Sequence, residues 1–344
     1  MNPVRKLKIQ NILFIIGIGL VFGLLYNFFY YPHTFIEFFE AGSISILIGL
    51  MLGFLEEFVF KNTFQKLPFL TVTIFRTFLY SFMISIILCL VLSIEISVTE
   101  QINYKYAVMQ YIKSPLFQRD FIFSFSFIFL ILFIFHVIQL IGRANFFRLF
   151  FGLYHQPREV LRIFMFLDLK GSTTLAEKLS NKMYSAFIRD FFNDVSDAII
   201  LFSGEIYQYV GDEIIIVWPV RKTNLNCIRS FFKILEIVSD KRSKYQSKYN
   251  ITPEFKAGIH AGHVVVTEVG KQKKEIAYHG DVLNTTSRIQ EKCSELNEKL
   301  LISEELLRYV QPENFFMLEK MGGIEMRGKS KRLNLYSVRS INQP

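Results

Sequence analysis

Four long apolar stretches within the first 142 residues, at roughly 11–31, 41–60, 69–96 and 121–141, constrain this chain more than any other feature. Each approaches the ~20 residues that a helix needs to cross the ~30 Å hydrocarbon layer of a bilayer. The 344-residue chain is 51% hydrophobic with 38 Phe and only 20% charged, too apolar for an ordinary soluble protein. Because the excess falls almost wholly before residue 142, a transmembrane domain is predicted over 1–142, solvated by the lipid bilayer. The start, MNPVRKLK, has the charge of a signal peptide, but the apolar run behind it is too long and lacks a small-residue cleavage site. It reads as the first transmembrane helix.

Four crossings leave both ends on one side. Lys6 and Lys8 precede the first stretch, Lys61 and Lys66 separate the second from the third, and Arg143, Arg148, Arg158 and Arg162 follow the fourth. The loop over 31–40 has no Lys or Arg and two Glu. The positive-inside rule therefore makes this a multi-pass protein of the cell membrane with a cytoplasmic C-terminal half, although Lys105, Lys113 and Arg119 weaken the bias. The net charge of +9 is spread along the chain and gathers at the ends of apolar segments, so it serves orientation and not nucleic acid. Glu56, Glu57 and Arg76 are expected at the cytoplasmic interface, where they can snorkel to the headgroups. No internal repeat or broken helix pair suggests a transporter. Three widely spaced cysteines without a CxxC pair give neither a disulfide framework nor a zinc site. The segment 143–159 mixes Arg with Phe and Leu and reads as an amphipathic linker helix, with Pro157 breaking it before the first strand.

From residue 160 the pattern alternates. VLRIFMFLDL is an apolar strand, and the run from Thr173 to about residue 202 carries apolar residues at helical spacing. EIYQYVGDEIIIVW reads as a hairpin, followed by a helix over about 225–249, the strand FKAGIHAGHVVVTEVG and a helix after Gly280-Asp281. This order predicts an α+β class, a ferredoxin-like α/β sandwich on a mostly antiparallel sheet, over 160–340. Asp168 ends the first strand just before LKGST opens a helix, and Asp212 occupies the hairpin tip. Either aspartate alone is most simply a turn or cap residue. Two at one sheet edge suit a pair of divalent ions.

FLDLKGST, YVGDE, GIHAGHVVV and HGDVLNTTSRIQ, in that order, resemble the class III adenylate and guanylate cyclase domain. The resemblance implies that Asp168 and Asp212, with the carbonyl of Leu169, hold two divalent ions, Mg²⁺ or Mn²⁺. It implies that the amides from Leu169 through Lys170, Gly171 and Ser172 to Thr173 surround the phosphates, with Arg327 and Lys329 near the terminal ones. Asn284 and Arg288, four apart on one helix face, match the residues that orient the ribose and stabilise the transferring phosphate. In such enzymes the site is shared between two domains, so a homodimer is implied here. Base choice would fall to Gln208 and Ala277, which match neither the adenylate nor the guanylate pattern; a Gln amide can read either purine. ATP is the expected substrate and GTP the alternative, with a catalytically inactive cyclase-like receptor as the other reading. The GDE triplet also occurs in diguanylate cyclases, but their paired glycines and following Phe are missing. His260 and His263, on and just after a strand, are expected to be structural, and Glu213 to point away from the site.

Overall fold

The computed structural model describes residues 3–30, 34–60, 67–220, 225–312, 315–325 and 332–341. The chain divides into two compact units, Met1–Phe146 and Phe147–Pro344.

The first unit is helical: α1 (Pro3–Tyr30), α2 (Phe35–Phe54) continuing as a π-helical turn over Leu55–Phe60, α3 (Phe69–Thr99), α4 (Tyr104–Lys113) and α5 (Pro115–Ile141). Among the described residues four segments are long and apolar enough to cross a membrane: Asn11–Tyr30, Phe35–Phe60, Phe69–Thr99 and Pro115–Ile141. Their outward surfaces expose Phe35, Phe39, Phe82 and Ile122, as lipid-facing helices do. Close contact of α1 with α2 depends on small residues; a Cβ on Gly49 would lie 2.8 Å from the Cα of Ile16. Three of the charged side chains within these segments have polar partners. Arg76 Nη1 lies 3.2 Å from Glu56 Oε2, the Tyr80 hydroxyl donates to Glu56 at 2.7 Å, and Asn11 donates to Glu57 at 3.2 Å. Asp120, which the hydropathy pattern did not single out, is buried and accepts from the Tyr26 and Tyr111 hydroxyls and from Arg119. The short helix α4 was not expected either.

After α6 (Arg143–Phe150) the chain turns at residues 151–156 and enters the sheet. The predicted linker helix thus covers only about half of its segment. The second unit contains β1 (Arg158–Leu169), α7 (Ser172–Lys178), α8 (Asn181–Leu201), β2 (Glu205–Val210), β3 (Glu213–Pro219), α9 (Asn226–Asp240) and α10 (Arg242–Tyr249). It continues with β4 (Phe255–Val269), β5 (Glu275–His279), α11 (Asp281–Glu295), β6 (Leu300–Ser303), α12 (Glu304–Leu307), β7 (Phe316–Glu325) and β8 (Arg332–Ser340). The strand order is β2-β3-β1-β4-β6-β8-β7, with β5 hydrogen-bonded to β4. Among the described residues only β4 and β6 pair in parallel; the other pairs are antiparallel.

Strand alternation separates the two faces of this sheet. Ile163, Met165, Leu167 and Leu169 of β1 face the main core with α8, α9 and α10, whereas Phe164 and Phe166 face a second cluster with Val264, Val266 and Val282. Glycines in GIHAGH let α11 lie directly on that second face, since a Cβ on Gly258 would come within 2.5 Å of the Gln290 amide nitrogen. Two helices expected to be single are split. Ser180 caps α8, its Oγ accepting from Met183 N at 3.4 Å, and a break at Lys241 separates α9 from α10. Near that break Lys241 Nζ and the Tyr245 hydroxyl each reach the buried Asp194 at 2.7 Å. Burial pushes the thiols of Cys227 and Cys293 up to about 12, and all three cysteines are free.

Candidate active site

Asp168 closes β1 on the α11 side of the sheet, flanked by a carboxylate and an ammonium. Its register partner on β3 is Glu213 and its partner on β4 is Lys256. Directly opposed residues share a face with their Cβ atoms ~5 Å apart. Glu213 therefore points to the same face as Asp168, correcting the expectation that it turns away. Asp212 follows Gly211, whose φ of +62° gives the hairpin its left-handed turn. Its carboxyl lies within hydrogen-bonding reach of Asp168.

This cluster is short of positive charge. Lys256 Nζ stands 3.6 Å from Asp168 Oδ2 and also donates to Ser294 Oγ at 2.7 Å, while Gln290 Nε2 donates to Asp168 Oδ2 at 2.8 Å. Even so, burial and then the Asp212 charge push the Asp168 carboxyl up to about 6. Burial, followed by the charges of Asp168 and Asp212, pushes Glu213 up to about 7. The same causes raise the Tyr184 hydroxyl, which faces both aspartates from α8. Asp212 Oδ2 is buried without a hydrogen-bond partner among the described residues. An orphaned carboxylate oxygen beside a second reluctant carboxylate fits a hard divalent cation with oxygen ligands. Among the described residues no three His, Cys, Asp or Glu side chains converge as a ready-made metal cage. The fit thus rests on Asp168, Asp212 and the neighbouring backbone, where the Leu169 carbonyl lies.

Beyond β1, Lys170, Gly171 and Thr173 are exposed and Ser172 is half-buried. Gly171, with φ +72°, precedes α7, and first-turn amides of a helix lack acceptors within it. The Lys170 amide is different: it donates to Glu254 O at 2.8 Å and is not open to a phosphate in this structure. Beside Asp212 an open groove of about 570 Å³ is lined by Tyr184, Arg189, Phe192 and Tyr209.

Asn284, exposed, and Arg288, half-buried, lie on the side of α11 away from buried Thr285, Thr286 and Ile289. Gln290, two residues after Arg288, reaches Asp168 of its own chain. Residues two apart on an α-helix project ~200° apart, so Arg288 leaves α11 on nearly the opposite side from Asp168. The structure does not bring Asn284 and Arg288 to the chain's own carboxylates. Gln208 is exposed on β2 and Ala277 half-buried on β5. Their neighbours join the two strands: the Tyr207 and Tyr278 rings meet edge to face at 5.1 Å, and Tyr278 N donates to the Tyr207 hydroxyl at 3.3 Å. Arg327 and Lys329 lie outside the described residues. His260 and His263 both fall on β4; buried His260 Nδ1 is 2.7 Å from Ser303 Oγ, and exposed His263 is 3.6 Å from Glu159.

Sequence reasoning missed Lys256, Gln290 and Tyr184. Lys256 opens a predicted strand and Gln290 closes the SRIQ motif, yet only the strand register and the seating of α11 bring them to Asp168.

Residues 153–340 match the family model described as the adenylate and guanylate cyclase catalytic domain. Adenylate cyclase 2 of Rhizobium meliloti (strain 1021) is 36% identical over 204 residues, covering 59% of this chain and 56% of that protein. An adenylate cyclase of Anabaena cylindrica is 26% identical over 182 residues, covering 51% of this chain and 36% of that one. The chain thus spans about half or less of the length of these relatives. A bacterial light-regulated adenylyl cyclase structure superposes with a TM-score of 0.54 at 19% identity, over 62% of this chain and 63% of that one, a likeness of fold. With the family model covering more than half of its length, the chain belongs to the adenylate and guanylate cyclase catalytic-domain family.

Proposed function

We infer that the protein is a membrane-anchored adenylate cyclase that converts ATP to cyclic AMP and pyrophosphate in a site shared by two copies of the chain. The observation carrying this reading is the frustrated pair Asp168 and Asp212 at the family's metal positions: Asp212 Oδ2 is buried without a partner among the described residues, and burial with the Asp212 charge pushes the Asp168 carboxyl up to about 6. Two divalent cations held there would supply Lewis-acid stabilisation of the 3′-oxygen and of the departing pyrophosphate. The residues of the chain do the rest by position and charge. First-turn amides of α7 and the exposed turn at Gly171 receive phosphate oxygens. Asn284 holds the ribose and Arg288 neutralises charge on the phosphate being transferred. Because Arg288 faces away from its own Asp168, these two residues act on the nucleotide held by the other copy. The family resemblance and the names of the relatives favour ATP over GTP. The positive-inside pattern supports placing residues 160–340 in the cytoplasm, with 1–142 in the membrane and 143–159 between them.

The test is complementation. Full-length Asp168→Ala and Arg288→Ala proteins are each expected to be inactive with Mg²⁺ or Mn²⁺ and ATP. Mixed chains recover up to about a quarter of wild-type activity, because a mixed pair retains one intact site of two. Activity of Arg288→Ala alone would sink the shared site, and no cyclic product from ATP or GTP with the wild type would sink the enzyme.

A further inference from the structure

The helical unit contains a cavity that nucleotide chemistry does not use. It runs between α1, α2, α3 and α5, has a volume of about 220 Å³, and is walled mostly by Ile, Leu and Phe. Glu56 borders it towards one end. At the other, where α1 finishes and α2 begins, it meets Asn27, Glu37, Glu40, Glu95 and Asp120.

These carboxylates are not equivalent. Glu56 is neutralised by Arg76, and Asp120 by Arg119 with two tyrosine hydroxyls. Glu37, Glu40 and Glu95 have no ion-pair partner among the described residues, and Glu95 stands in the field of both the others. Like charges at the edge of a low-dielectric region are costly until a counter-charge joins them.

Orphaned acceptors provide a second, separate observation. Asn27 is 5% exposed; its Nδ2 donates to Glu37 O at 3.4 Å, whereas its Oδ1 has no partner among the described residues. Glu37 Oε2 is likewise buried and unpartnered. Acceptors without donors, together with excess negative charge, call for a cation that donates or carries positive charge. A bare metal ion does not fit, because no three carboxylates among the described residues converge as chelation requires. Apolar walls and the Phe22–Phe127 and Tyr26–Phe123 ring pairs, at 3.8 and 4.5 Å, suit a larger ion with a hydrocarbon body.

The geometry points to a binding site for an organic ammonium ion, its charge against Glu37, Glu95 and Asn27 and its apolar body along the cavity. A zwitterionic lipid headgroup is the poorer occupant, since its phosphate would meet the same carboxylates.

The test uses the full chain in phosphatidylcholine nanodiscs, with 2-phenylethylammonium, whose three N–H groups can donate to these acceptors, as probe and propylbenzene as its uncharged isostere. Saturable binding of the cation is expected, at least ~10-fold tighter than that of the isostere. Glu95→Gln weakens it about tenfold and Glu95→Lys abolishes it, while Glu95→Asp retains it. Glu100→Gln, which removes a carboxylate bonded instead to Gln110, leaves it unchanged. Equal binding of the isostere, displacement by micromolar Ca²⁺, or no saturable binding by the folded protein overturns the proposal.

Discussion

Asp194 and Asp168 are both substantially buried acids of the same unit, and the fold treats them in opposite ways. Asp194 meets Lys241 and Tyr245 at 2.7 Å and Lys244 at 3.5 Å. Asp168 meets one partly diverted lysine and one amide, with Asp212 and Glu213 adding like charge. A charge compensated by its own chain serves structure. A charge left short of partners is a standing demand for something from outside, and such demands concentrate at functional sites.

The sharpest way to break this comparison is a pair of truncations. Asp212→Ala is expected to lower cyclase turnover at least ~10³-fold while leaving the melting temperature of the metal-free protein equal or higher. Asp194→Ala should instead cost about 1–2 kcal/mol, chiefly by leaving the buried Tyr245 hydroxyl without its acceptor, and lower the melting temperature by a few degrees. A stability loss at Asp212 matching that at Asp194 would erase the distinction.

Acidity gives the next largest effect. Asp168 and Glu213 have folded-state values raised to about 6 and about 7, so the folded protein favours their protonated forms. Their contribution is fully present below the ordinary carboxylate range and is lost as pH rises through 6–7. Asp190 has the opposite sign: Lys248 and Tyr249 hold it low despite its burial, so its contribution is lost as pH falls. Denaturation of metal-free protein at pH 5 and pH 8, compared with Asp168→Asn/Glu213→Gln, should show about 1–2 kcal/mol of wild-type loss that the double variant lacks. Identical pH profiles would refute the frustration.

A smaller effect is expected at Lys256. Lys256→Met removes the ammonium that stands beside Asp168 and should move that carboxyl further up from about 6, read as a carboxyl-carbon chemical shift titration. The smallest is at Gln208, where Gln208→Lys should change the ATP-to-GTP ratio of kcat/KM by only ~3-fold in favour of ATP.

Much of this was legible in the residues, for physical reasons. Lipid-length apolar runs and two-residue alternation are local signals, so the four spans and the strands around Asp168 and Asp212 could be read directly. Helix breaks at Ser180 and Lys241 could not, because apolar periodicity continues across both. Lys256 and Glu213 escaped because their importance lies in ladder register, which joins residues separated by tens of positions. Asp120 escaped because the hydrocarbon-length count begins just after it, while the tyrosines that make its burial tolerable come from α1 and α4.

Gly171 and Gly211 carry a consequence in terms of handedness. Both stand at positive φ, +72° and +62°, beside the two carboxylate-bearing turns, and nothing lies within 4 Å of where a Cβ would project from either. An L-alanine there is opposed by its own backbone and not by its surroundings, at a cost of about 1 kcal/mol. For the mirror-image residue the same dihedrals are the relaxed ones. A semisynthetic C-terminal unit with D-alanine at 171 or 211 should keep both turns and melt above its L-alanine counterpart.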